Sequence, residues 1–196
     1  MEQPIILAMY SGGLDSLGMI HKLLTDPEYQ DYELHIHHVH NRNVEQRARA
    51  EKIAVDMALK ELRRLGFTFD YSESEIGTQP YGNKFLFDSD TLNFFAGYIC
   101  SANPNIVKVA LGMQANDANQ SLEDRRKRAD KILAAFTDVG KIFPMLNMSK
   151  REIYDSLPAS LRNMFWSRRR PVYAEKTITP CGQCGTCVKL REQAIR

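Results

Sequence analysis

The chain has no apolar run approaching the roughly 20 residues that span a bilayer, and its first residues lack a basic-then-apolar leader pattern. Both absences point away from a membrane partner and toward the cytoplasm. Charge of one sign is missing too. With 26 Lys and Arg against 24 Asp and Glu, the net charge of +2 gives no global argument for nucleic acid. Cysteine is scarce: four in 196 residues, three of them within the short stretch Cys181–Cys187. That distribution does not suit a disulfide framework and does suit a metal site in a reducing compartment. No internal repeat, low-complexity segment or G-x-x-x-x-G-K-[ST] phosphate loop is present. What remains is the composition of one enzyme domain, residues 1–160, with a short cysteine-rich tail, residues 161–196.

The most informative stretch is Ser11-Gly12-Gly13-Leu14-Asp15-Ser16. It follows an apolar run, Ile5 to Met9, that reads as a buried strand, and precedes Leu17, Met19, Ile20, Leu23 and Leu24 at helical spacing. A strand, a glycine-rich turn and a helix N-terminus gather backbone N–H groups around a phosphate-sized space. The glycines let the backbone approach an anion, Ser11 and Ser16 add hydroxyls, and Asp15 can hold a divalent cation or orient a donor. A helix terminus alone contributes roughly 0.3–1 kcal/mol toward a charge, so the six residues must converge to bind a triphosphate. The string S-G-G-x-D-S resembles the PP-loop of ATP pyrophosphatases, which cleave ATP between its α- and β-phosphates to adenylylate a substrate. ATP with Mg²⁺ is what the resemblance implies.

Downstream, strand and helix patterns alternate. Strands are expected at 33–39, 67–71 and 106–111, and helices at 44–65, 88–102 and 122–136. In the 44–65 helix, Ala50, Ile53, Ala54, Met57, Ala58, Leu62 and Leu65 form the apolar stripe, and Gly66 is placed to cap it. Ser149 with Glu152 makes a capping box for a helix running to Leu157. The alternation implies an α/β fold with a doubly wound parallel sheet and ligands at the carboxyl ends of its strands.

Cys181-Gly182-Gln183-Cys184-Gly185-Thr186-Cys187 places three thiolates at a spacing that can fill three corners of a Zn²⁺ tetrahedron. An iron–sulfur cluster is the rival, and a site that has lost its metal is the third reading. A redox C-x-x-C is less favoured, because the motif does not read as opening a helix after a strand. Cys100, within an apolar helix, reads as an inert core thiol.

The two signals together resemble the 7-cyano-7-deazaguanine synthases, a PP-loop family. S-G-G-L-D-S is joined by P-C-G-Q-C-G-T-C with Lys189 and Arg191 soon after. Gln46-Arg47 with Glu51 resembles that family's Q-R-H-x-x-E and Gly112 followed by Asp117 its G-x-x-x-x-D, and Pro80 to Asn83 sits roughly where the family carries a P-x-R-N turn. Asp124 and Arg126 match two positions of its Y-P-D-C-R. Pro144 with Lys150, Glu152 and Ile153 resembles P-x-x-x-x-x-K-x-E-I, which makes Lys150 the basic residue near the phosphates. Trp166-Ser167 stands where the family reads W-S-C-Y, but Arg168 replaces the cysteine that serves there as fourth zinc ligand. The resemblance implies a homodimer, a deazapurine substrate and ammonia.

A planar deazapurine needs donors along its edge, for which His38, His40, Arg47, Asp117 and Asp124 are the candidates, with Arg47 orienting a carboxylate in a bidentate fork. His35 and His37 should leave the strand on the side opposite His38 and His40, which argues against one shared metal site. Arg125 to Arg128 reads as a solvated helix face or a phosphate contact, and Arg168 to Arg170 as a grip on phosphate or nucleic acid or as plain surface. The leading expectation is an ATP-dependent ligase acting on 7-carboxy-7-deazaguanine. The alternatives are a PP-loop enzyme acting on an RNA base or a protein terminus, and a non-catalytic zinc module that binds nucleic acid.

Overall fold

The computed structural model describes residues 3–77, 87–113, 120–175 and 177–195, and, for 120–122, the backbone only. Five parallel strands, β1 (Ile5–Met9), β2 (Glu33–Arg42), β3 (Asp70–Gly77), β4 (Ile106–Leu111) and β5 (Gly140–Ile142), lie in the order β3-β2-β1-β4-β5. The helices α1 (Leu14–Thr25), α2 (Ala48–Arg64), α3 (Asp88–Ala102), α4 (Gln120–Ala134) and α5 (Lys150–Ser156) alternate with them. A hairpin of β6 (Pro171–Tyr173) and β7 (Ile178–Pro180) and a last helix, α6 (Gly185–Glu192), follow. No helix of the described residues is long and apolar enough to cross a membrane.

Strand pleating splits the core in two. Ile6, Ala8 and Tyr10 of β1 and its extension pack with α1, α2 and α5, while Leu7 and Met9 face the α3 and α4 side with Ala96, Cys100 and Leu133. Helices on both faces of a parallel sheet make the expected doubly wound fold. Strand order reverses between β1 and β4, so a crevice opens at their carboxyl ends. The tail does not stand apart, since Leu190 and Ile195 join the α1 and α2 core.

Sequence expectations for α3 and β4 match the structure residue for residue. Others shift. The second helix starts at Ala48 rather than Val44, and its buried side runs through Glu51, Ala54, Val55, Ala58, Leu59 and Leu62. Ile53, Met57 and Leu65 are exposed, which corrects the expected stripe. The third strand begins at Asp70, not Phe67, because the chain first closes a Schellman cap: Phe67 N–H donates to the Leu62 carbonyl at 3.2 Å and Gly66 N–H to the Arg63 carbonyl at 3.0 Å. Gly66 takes the positive φ that this cap requires, +92°.

Candidate active site

Gly12, at φ +78°, turns the chain out of β1, and Gly13 is the N-cap of α1. Ser11 Oγ lies 3.0 Å from Ser16 Oγ and accepts the Gly13 N–H at 3.4 Å, and Ser16 Oγ donates to the Gly13 carbonyl at 3.0 Å. The loop is thus braced by its own hydroxyls before any anion arrives. Gly112, just past β4, lies against it: a Cβ there would fall 2.7 Å from the Ser16 backbone. That approach carries the end of β4 to the loop and shapes the crevice between the two strands.

Lys150 and Asp15 meet at 2.5 Å although 135 residues separate them. The path between them is physical. Gly18 on α1 has no side chain where Ile153 of α5 packs, and a Cβ would stand 2.5 Å from Ile153 Cγ2. The two helices therefore approach closely enough for the first residue of α5, capped by Ser149 and Glu152, to place its ammonium on the loop.

Sequence reasoning missed one contact at the loop. Ser167 Oγ accepts the Leu14 N–H at 2.8 Å and Trp166 N–H donates to the Gly12 carbonyl at 2.7 Å. The tail puts a hydroxyl oxygen where a helix N-terminus takes an anion's oxygen. The Trp166-Ser167 pair was visible in the chain, but a bond spanning 153 positions has no local signal.

Arg47 is not available for the fork assigned to it. Its guanidinium already lies 2.8 Å from Glu45, 2.7 Å from Glu51 and 2.5 Å from Asp88. Burial pushes the Glu51 carboxyl up to about 7, against the pull of Arg47, and Asp88 and Glu45 push the same way. Arg47 is the centre of a partly buried charge cluster that ties α2 to the start of α3. Asp124 sits exposed on α4 and is not among the described residues that line the crevice. Asp117 and the Pro80 to Asn83 turn lie outside the described residues.

The histidines separate as the pleat requires. His35 Nε2 and His37 Nδ1 both lie 2.7 Å from Ser72 Oγ on one face. On the other, His38 is buried with Nδ1 2.7 Å from the Tyr10 carbonyl, and His40 Nε2 lies 3.1 Å from Glu73. Among the basic runs, Arg128 pairs with Asp90 at 2.8 Å and Arg169 with Glu45 at 3.4 Å, while Arg125 stacks 4.1 Å over the Phe87 ring.

The three tail thiols come together. Cys184 and Cys187 sulfurs are 3.5 Å apart, those of Cys181 and Cys187 4.0 Å, and all three fall within 4.8 Å. Cys100 lies in the other core, where burial pushes its thiol up to about 11. Contrary to expectation, the motif does follow a strand and open a helix, since β7 leads into it and Cys184 is the N-cap of α6. Burial opposes ionisation of Cys184, but backbone N–H donors and the neighbouring thiols outweigh it and bring the group down to about 6. The motif is tied to the site, because Cys181 N–H donates to the Arg170 carbonyl at 3.2 Å and the next residue back, Arg169, lines the crevice.

No protein-family model and no curated protein matches this chain. Among solved structures it is similar to the U34-tRNA thiolase NcsA from Methanococcus maripaludis, determined with its [4Fe-4S] cluster. The TM-score is 0.51 at 18% identity, over 84% of this chain and 58% of that one. The likeness establishes the fold. This chain spans little more than half the length of that neighbour.

Proposed function

We propose that this protein is an ATP-dependent PP-loop enzyme that adenylylates a carboxylate, and that its substrate is 7-carboxy-7-deazaguanine. The observation that carries the reading is the Ser11–Ser16 loop at the reversal of strand order with the Lys150 ammonium 2.5 Å from Asp15. In this reading the α1 N-terminus and the loop hydroxyls hold the β- and γ-phosphates. Lys150 turns from Asp15 to the pyrophosphate as charge builds on it, and the Asp15 carboxylate would be the ligand for Mg²⁺. The substrate carboxylate attacks the α-phosphorus and pyrophosphate leaves. Ammonia then displaces AMP from the acyl-adenylate to give the amide. A second ATP activates the amide oxygen, and loss of AMP with the amide protons leaves the nitrile. The test is purified protein with ATP, Mg²⁺, ammonium and 7-carboxy-7-deazaguanine, read by mass spectrometry. The expected product is 7-cyano-7-deazaguanine with two AMP; AMP formation that ignores the deazapurine would sink the substrate.

A second reading, adenylylation of an RNA base, draws support from the likeness to a tRNA thiolase together with the cysteine triad beside the site. It predicts AMP formation that depends on tRNA.

For the triad we propose one Zn²⁺ held by Cys181, Cys184 and Cys187. Zn–S bonds of about 2.3 Å set tetrahedral S···S edges of about 3.8 Å, close to the separations found here. A cubane carries its thiolates on separate irons and would hold them further apart. Such an ion would pin the tail whose Ser167 reaches α1. Protein purified without chelator is expected to contain close to one zinc per chain by metal analysis. Iron with acid-labile sulfide, or no metal and three thiols that react freely in native protein, would overturn the assignment.

A further inference from the structure

A cavity of about 310 Å³ opens at the crevice, with Ser11 and Ser16 on one side and α3 and α4 on the other. Whatever fills it lies beside the loop. Two groups in its lining have chemistry left over. Asn93 is 3% exposed; its Nδ2 donates to the Ser89 carbonyl at 2.7 Å, and its Oδ1 has no hydrogen-bond partner among the described residues. Exchanging the two amide ends would set oxygen against the Ser89 carbonyl, so the group left over is an acceptor. A buried acceptor without a partner is rare in a native fold and asks for a donor from outside the chain. The second group is Arg126, whose guanidinium, among the described residues, donates to the Met113 thioether at 3.2 Å. Of the other charges around the cavity, Asp88 pairs with Arg47, Asp130 with Lys141 and Arg169 with Glu45, while Arg125 lies over the Phe87 ring at 4.1 Å. Phe87 and Phe143 add aromatic surface to the lining.

From this juxtaposition we infer that the cavity is the acceptor pocket of the adenylylation proposed above, and that it selects a planar heteroaromatic acid by two contacts. A ring N–H or amino group donates to Asn93 Oδ1. The carboxylate is drawn by Arg126 to the side that faces the loop. A cavity that offers an acceptor unmet among the described residues and a guanidinium paired there with a thioether fits a molecule carrying both complements on one rigid frame. The adenine of ATP has the amino group but no acid of its own, and would leave Arg126 unmatched.

The inference rests on the function proposed above, and binding measurements separate the two. Calorimetry with 7-carboxy-7-deazaguanine, with 7-deazaguanine lacking the acid, and with ATP is run on wild type, Asn93→Leu and Arg126→Ala. Asn93→Leu should weaken both deazapurines at least tenfold and ATP less than twofold. Arg126→Ala should weaken the acid at least tenfold and leave 7-deazaguanine within twofold. The melting temperature of Asn93→Leu should hold or rise, because the change removes an unpaired buried acceptor; a marked fall would make Asn93 a structural residue. Equal losses for ATP and the acid would place the nucleotide's base in the cavity and overturn the inference. Wild-type protein that binds the acid while neither variant changes it would also overturn the inference and leave the proposed substrate standing. Wild-type protein that binds ATP but not the acid would overturn the proposed substrate itself.

Discussion

Gly13→Val is expected to abolish ATP turnover in a protein that still folds. Gly13 has φ −84°, a conformation open to any residue, and the nearest neighbours of an added Cβ are hydroxyls, Ser167 Oγ at 3.3 Å and Ser11 Oγ at 3.4 Å. Those side chains can rotate away. The valine methyls would then fill the mouth of the loop, where the proposed nucleotide would set its phosphates against the α1 N-terminus. Loss of one preorganised donor costs about 10²–10³ in rate, and a blocked loop loses several together. Gly112→Ala makes the contrast. Its Cβ would fall 2.7 Å from the Ser16 backbone, which cannot rotate away, so stability should drop by about 1–3 kcal/mol or more. Pyrophosphate release and thermal melting, measured on both variants, check this. A Gly13→Val protein with wild-type ATP turnover would remove the nucleotide from the loop, and one that fails to fold would make Gly13 a structural glycine.

The parts of this fold legible in the chain are those with a local cause. The apolar strand β4 and helix α3, closed by Asn103 and Pro104, carry both period and punctuation, and their bounds were readable to the residue. Helix α2 misleads because it buries Glu51 and Glu61, while Ile53 and Met57 face outward. A pattern of apolar residues alone therefore rotates the stripe. Strands β5, β6 and β7 have three residues each, too few for a period to show. The site divides in the same way. The loop and the cysteine triad are continuous in sequence and could be read directly. Arg47 was legible as an important basic residue but not as a committed one, because Asp88 reaches it from a separate element. Asn93 is one more polar position in helix α3, with no local signal to single it out. Its unpaired oxygen exists only once α3 has packed against the sheet.

Acid should loosen this fold across a window in which His37, His38 and Glu51 carry the largest shifts. Burial lowers His37 and His38 to about 4, with the neighbouring histidines lowering them further, whereas an unfolded chain titrates histidine near 6.5. Between those values the unfolded state binds two protons that the folded state refuses, and stability falls as pH drops. Glu51 works the other way. Raised to about 7 by burial, it takes a proton in the folded state while its unfolded counterpart is still ionised, so it contributes increasing stability as pH drops through the same range. Two protons against one leave a net slope of about 1.4 kcal/mol per pH unit between roughly pH 6.5 and 4.5, or about 2–3 kcal/mol in all, and His21 and His35, which burial also lowers, add to it in the same direction. Glu51→Gln keeps an acceptor for Arg47 and removes the opposing proton, so its slope should be about twice as steep. Urea midpoints at half-unit steps from pH 7.5 to 4.5 measure both proteins. A flat profile in wild type would mean that the two histidines are protonated in the folded state, and equal slopes would mean that the Glu51 carboxyl is ionised at pH 5 within its cluster.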